Sequence, residues 1–341
     1  MLRDGQRLNS PDMGGINWLQ IPVGAVSRIE VIEGPQSVLY GDHALGGVIN
    51  IITHDAALPA RTEAGASAAS HGTYGANLAT RGSVDRLRYS AGADWLTSDG
   101  YRRNGGYDSV NLRAGIEAAA TETLRLIFFG TYDHLENELP GSLTREQMDA
   151  DPRQASTPDD KAGSDSGNAS LALQWDVTAD QRLLADLIYN HRRAESDFFS
   201  MYNFPESTLD SLTLALRHQL DSTLLECPTR LLTGFDFYLD RLAVDRYSEP
   251  ERSLLLLDAI VEKYSYGAYL NHETDLTESL TLTLGGRIEQ ARYAADVKAG
   301  AGGMLVDDSE THTVSALSAS LLYRPVDTLK LYTTFSTLYR L

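Results

Sequence analysis

Apolar and polar residues alternate along most of this chain with a period of two. Between Leu87 and Trp95, Leu, Tyr, Ala, Ala and Trp take one set of positions and Arg, Ser, Gly and Asp the other. Val110, Leu112, Ala114 and Ile116 alternate with Asn111, Arg113, Gly115 and Glu117. Ala169, Leu171, Leu173 and Trp175 alternate with Asn168, Ser170, Ala172 and Gln174, and the segment from Leu280 to Glu289 repeats the pattern. Successive side chains of a strand point to opposite faces, so each segment predicts a strand with one apolar and one polar face. Segments of this kind number about 13, each near the ~10 residues of a tilted membrane-spanning strand. An apolar outer face, a polar inner face and this length predict a transmembrane β-barrel.

The connections add a second signal. Short ones fall near 83–86, 119–122, 177–180, 275–278 and 324–327, and long ones near 97–108, 136–167, 195–208, 244–258 and 292–310. Short turns at one end and long loops at the other are the habit of outer-membrane barrels. Tyr89, Trp95, Tyr107, Tyr132, Trp175, Tyr189, Tyr264 and Tyr339 fall toward segment ends, where aromatic girdles lie. Soluble sandwiches and propellers also alternate, but no constant repeat of about 40–50 residues marks propeller blades here.

The first residues follow another pattern. Arg28-Ile29-Glu30-Val31-Ile32-Glu33 alternates with one slip and predicts a half-buried strand, ended by Gly34-Pro35. Gly46-Gly47 precedes a β-branched run, Val48-Ile49-Asn50-Ile51-Ile52-Thr53. Two strands around a short compact segment predict a small mixed domain.

Four pieces of this region, in order, resemble the plug of TonB-dependent outer-membrane receptors: LRDGQRLN (Leu2 to Asn9), RIEVIEGP (Arg28 to Pro35), SVLYG (Ser37 to Gly41) and ALGGVINIIT (Ala44 to Thr53). The resemblance implies an all-β membrane barrel with a small α+β plug. Residues 1–57 would be a partial plug and 58–341 the N-terminal part of a barrel of about 22 strands. The closing residues, Thr334 to Leu341, resemble the start of the family's YSxGFRAP strand. Met1 is followed by Leu-Arg-Asp-Gly, not by a basic and then an apolar region. The expectation is therefore a piece of a longer protein, with the export signal, the TonB box and the remaining strands outside it.

The implied function is TonB-dependent active transport of a large scarce nutrient, a ferric siderophore or similar iron complex, or cobalamin, across the bacterial outer membrane. The implied partners are TonB with its inner-membrane energising complex, the ligand, and outer-membrane lipid and lipopolysaccharide. The resemblance implies no cofactor. Two alternatives stay open: a non-transporting outer-membrane binding barrel, such as an adhesin or a phage or colicin receptor, and an inactive gene fragment.

Composition narrows the rest. The 341 residues carry 29 Lys+Arg against 47 Asp+Glu, a net charge of −18. Such an acidic chain is a poor partner for nucleic acid, whose affinity comes from neutralised phosphates. The single Cys227 cannot form an internal disulfide. No apolar run reaches the ~18 residues of a helical span. Histidines are scattered without an H-E-x-x-H or Cys/His cluster, and no nucleophile elbow, P-loop or dinucleotide fingerprint occurs. No enzyme is read here.

Several residues remain as candidates. Charges of the plug, Arg28, Glu30 and Glu33, are expected to pair with inward-facing Arg113, Glu117, Arg287 and Glu289; the alternative is a solvated strand face. The breaker-rich segment 7–17 corresponds to the family's ligand-facing apex, which makes Arg7, Asn9 and Asp12 ligand candidates beside an ordinary turn. Tyr132, Tyr202 and Phe204 are ligand candidates near the long loops. Asp149, Asp151, Asp159, Asp160 and Asp165 suggest calcium, but without the D-x-D-x-D-G spacing a solvated acidic loop is favoured. His134 and His191 lie near loops, as haem ligands or as ordinary surface residues.

Overall fold

The computed structural model describes residues 1–3, 5–8, 18–21, 26–53, 59–326 and 328–341. The N-terminal part is a four-stranded sheet. Its strands are β1 (Leu2–Arg3), β2 (Gln6–Arg7), β3 (Arg28–Glu33) and β4 (Gly47–Ile52), in the order β2-β1-β4-β3. β1 runs parallel to β4, and β3 antiparallel to it. Helix α1 (Ser37–Tyr40) and a 3-10 turn, Gly41–His43, connect β3 to β4. β3 forms where the alternation predicts it but is exposed along its whole length, not half-buried. It is the outer strand of its sheet, so only one edge is covered.

Thirteen antiparallel strands follow, each paired with its neighbours in sequence. The first five are β5 (Arg61–Ala69), β6 (Thr73–Val84), β7 (Leu87–Ser98), β8 (Tyr107–Ala119) and β9 (Leu124–Glu138). Next come β10 (Lys161–Thr178), β11 (Gln181–Asp197), β12 (Phe204–Leu224) and β13 (Cys227–Tyr247). The last are β14 (Leu255–Thr277), β15 (Leu280–Ala299), β16 (Met304–Val326) and β17 (Leu329–Ser336). A short helix, α2 (Arg145–Ala150), sits between β9 and β10. Its capping box joins the Thr144 hydroxyl and the Gln147 side chain to each other's backbone N–H.

Burial along these strands is inside out. In β8, Leu112 and Ile116 are 45% and 52% exposed, whereas Asn111 and Glu117 are 6% and 9% exposed. Leu171, Trp175, Leu284 and Ile288 are exposed, whereas Asn168, Arg287 and Glu289 are buried. The polar face lies inward and the apolar face outward, as in a wall that meets lipid. Among the described residues no helix is long and apolar enough to cross a membrane.

Two expectations need correction. Strands β12 to β16 are 20 to 23 residues long, about twice the expected span. The connections expected at 244–258 and 292–310 shrink to 248–254 and 300–303. Polar residues on both faces there, such as Asp307, Asp308, Ser309 and Glu310 in β16, hide the alternation that marks a strand. The tight turn at Leu225–Glu226, with both residues at positive φ, was also missed. Tyr339 is the second correction: it is not in an outer girdle but buried against the inner wall.

Candidate functional site

The small sheet meets the inner wall at the turn after α1. Gly41, at φ 72°, turns the chain there. A Cβ on Gly41 would lie 3.0 Å from Arg7 Nη2 and 3.2 Å from Glu289 Oε2. The next residue, Asp42, has a side chain only 1% exposed. Its carboxylate accepts from Lys263 Nζ of β14 at 2.9 Å and pairs with Arg7 Nη1 of β2 at 3.4 Å. Arg7 also donates to the Tyr40 carbonyl at 2.9 Å and lies over the Tyr238 ring of β13, 4.1 Å from its centre. Burial by itself lowers the Arg7 pKa, but Tyr238, Asp42 and Glu289 hold it above its ordinary value. One carboxylate thus joins a cation of each body across the boundary.

Beneath this latch lies a cluster built from the wall. Arg287 has a fully buried side chain and pairs with Asp236 and Glu289, each at 2.7 Å. Tyr339 donates to Glu289 at 2.6 Å and accepts from Arg287 Nε at 3.0 Å. Ser265 completes Glu289 at 2.6 Å. Buried charges need such hydrogen-bonded partners, because desolvation otherwise outweighs the Coulomb gain. Val38 of α1 packs on Ala316 and Tyr339, so an apolar contact flanks the charges.

Two further contacts cross the boundary. Arg3 Nη2 donates to Thr131 Oγ1 of β9 at 2.9 Å, with Asp133 at 3.9 Å. The Leu19 carbonyl accepts from Ser109 and Asn111 of β8, both at 3.3 Å.

The expected site residues fall in several places. Arg28 and Glu30 hold each other at 2.9 Å, and Asn50 also donates to Glu30 at 3.2 Å. These contacts hold the Glu30 carboxyl below its ordinary pKa. Glu33 is exposed. On the wall, Arg113 pairs with Asp94, and Glu117 with Arg88 at 3.2 Å. The structure brings Arg287 and Glu289 together and sets them against Gly41. The bridges across the boundary, however, use Asp42, Lys263, Arg3 and Asp133, which the alternation pattern does not single out.

Of the ligand candidates, Arg7 belongs to the latch, and Asn9 and Asp12 lie outside the described residues. Tyr132 lies on the outer face, its hydroxyl 2.5 Å from Asp165. Phe204 is 1% exposed and packs edge-on against Phe199 at 5.2 Å. Tyr202 is exposed at the tip of the β11–β12 connection, at φ 48°.

Four of the five acidic residues are engaged one by one: Asp149 by Arg145, Asp151 by Arg103, Asp160 by Ser200 and Asp165 by Tyr132 and His134. His191 sits on Asp210 at 2.8 Å. Among the described residues no group of three or more His, Cys, Asp or Glu side chains is arranged to hold a metal ion.

A small sheet latched against an inside-out wall is an arrangement with known counterparts. The sequence model described as "TonB dependent receptor-like, beta-barrel" matches residues 119–341, and the "TonB-dependent Receptor Plug Domain" model matches residues 1–48. The chain belongs to the TonB-dependent receptor family. Over 252 residues it is 28% identical to a curated protein of Vibrio vulnificus (strain CMCP6), "Vitamin B12 transporter BtuB", covering 72% of this chain and 39% of that one. Its fold is similar to that of the unliganded ferric citrate transporter FecA, with a TM-score of 0.84 and 18% identity over 98% of this chain and 53% of that one. The open form of the ferric-catecholate import receptor Fiu of E. coli K12 superposes with a TM-score of 0.82 and 13% identity, covering 100% of this chain and 62% of the other. The receptor chain thus spans roughly two fifths to three fifths of the length of these relatives.

Proposed function

We propose that this chain is the plug-bearing part of an outer-membrane receptor that takes up a large scarce nutrient with energy delivered by TonB. Residues 1–57 would serve as plug and residues 58–341 as the first part of the barrel wall. The observation that carries this reading is the Asp42 latch. It docks a small domain on the polar inner face through ion pairs and hydrogen bonds beside the apolar contact of Val38, an attachment that holds the lumen shut and can be broken and remade. The apolar outer face supports placement in the outer membrane.

The nutrient classes follow from the relatives. One is named for vitamin B12 and two for iron complexes. The likeness to the two iron-complex receptors rests on fold alone, whereas the sequence match favours cobalamin. Uptake assays separate them: a receptor containing this chain is expressed in cells lacking their own receptors, with and without TonB, and offered cobalamin or ferric chelates. TonB-dependent growth on one class supports the reading. Ligand binding with no TonB-dependent uptake would instead identify a non-transporting binding barrel.

A further inference from the structure

The long connections at one end of the wall are tied to one another by two side chains that neither the latch nor the lumen uses. Arg102, between β7 and β8, donates four hydrogen bonds into the connection between β9 and β10. It reaches the carbonyls of Gly141 at 2.5 Å, Pro140 at 3.0 Å and Gln154 twice, at 3.0 and 2.9 Å. Asn104, held at φ 52°, directs its amide at the carbonyls of Leu139, Thr157 and Asp160, at 3.2, 2.7 and 2.9 Å. These acceptors lie on both limbs of one long loop, so the pair closes the loop on itself as well as on its neighbour.

The ties continue on both sides. The Asp99 N–H donates to the His71 carbonyl at 3.0 Å, and the Tyr101 ring meets His71 edge-on at 5.4 Å. On the other side, Asp160 is 4% exposed and accepts from the N–H and hydroxyl of Ser200, at 2.9 and 2.5 Å.

A loop of this length ordinarily leaves main-chain carbonyls to water and carries a large ordering entropy. Here seven hydrogen bonds from two side chains supply the donors. A guanidinium suits the task because its planar fork offers five N–H groups in fixed directions.

We infer that the connections at 70–72, 99–106, 139–160 and 198–203 form one pre-built cap, keyed by Arg102 and Asn104, which keeps its shape whether or not ligand is bound. Any closure over a ligand then belongs to other connections, and the capped side recognises by pre-organisation, which lowers the ordering cost of binding. The inference takes the side of the wall with the long connections as the ligand-facing one, as the proposed function does. The cap itself is tested without reference to transport.

Hydrogen exchange measured by mass spectrometry on the full chain folded in detergent micelles tests it. Peptides from 139–160 should exchange about as slowly as those from β9 and β10. Arg102→Ala should speed exchange across 99–106 and 139–157 by at least about tenfold while the strands stay protected. Arg102→Lys should behave like the alanine variant, since one ammonium cannot reach three carbonyls in the fork geometry. Asn104→Ala should release 157–160 most. Adding ferric citrate or cyanocobalamin as probes should leave 139–160 unchanged. Fast exchange of 139–160 beside protected strands, no response to either alanine variant, or slowing of 139–160 by a probe would each overturn the inference.

Discussion

Asp42 is the residue on which the two bodies depend most directly, since it holds both Lys263 of the wall and Arg7 of the plug. Asp42→Asn keeps the shape but leaves two cations facing a neutral amide. Removing one partner of a buried ion pair costs about 3–5 kcal/mol; Arg7 keeps Tyr238 and the Tyr40 carbonyl, so the expected loss is about 3 kcal/mol. Protease cleavage within residues 1–57 should accelerate, while the wall keeps its protection. Lys263→Met should cost less, because Arg7 still neutralises Asp42. Gly41→Ala tests the same spot by sterics: its φ is left-handed and its new methyl would meet Arg7 and Glu289. Equal cleavage rates in all four proteins would show that the latch does not hold the plug. At this scale the sequence was only half legible. Alternation gives the face of a residue, and Arg287 and Glu289, on the polar face of their segment, are both buried. It gives neither the depth nor the strand around the wall that a plug charge will meet, and those choose Lys263 over Arg113.

Strands are where the sequence spoke most clearly, for a physical reason. A wall between lipid and a polar interior must alternate at every residue through the membrane, so period two survives intact from Leu87 to Trp95 and again in β8. Beyond the membrane both faces meet water and the constraint lapses, which is why the ends of β12 to β16 that fall within 195–208, 244–258 and 292–310 read as loops. The same argument predicts an asymmetry within one strand. Leu187 is 45% exposed, faces outward and sits in register with Leu171. Leu187→Arg places a charge in the lipid band and should destabilise the folded wall by about 2–4 kcal/mol near mid-membrane. Denaturant titration in lipid vesicles is the measurement. Glu195, on the same face of the same strand but near its far end, should accept Arg with less than about 1 kcal/mol of loss. Similar losses at both positions would refute the placement of the lipid band.

Among the described residues the wall ends in two open edges, because β5 and β17 lie at opposite ends of the thirteen-stranded sheet. In water such edges are tolerable, since their N–H and C=O groups stay hydrated. In a bilayer each unsatisfied group costs several kcal/mol, which is why membrane sheets close into barrels. Closing this sheet on itself would demand tighter curvature and a different stagger of all its strands, since strand number, tilt and stagger are linked. The chain alone should therefore hold its sheet in detergent micelles yet fail to form a heat-resistant species in lipid. The exposed edges also invite pairing between molecules, so export of the chain alone in cells should end in aggregation or proteolysis. Electrophoresis in SDS with and without boiling reads this directly: a folded barrel migrates faster unboiled, and this chain recovered from lipid vesicles should migrate identically in both lanes. Supplying further strands that bridge β17 to β5, by fusion to the matching portion of a relative, should restore the shift. A heat-resistant band from the chain alone would mean that thirteen strands close by themselves.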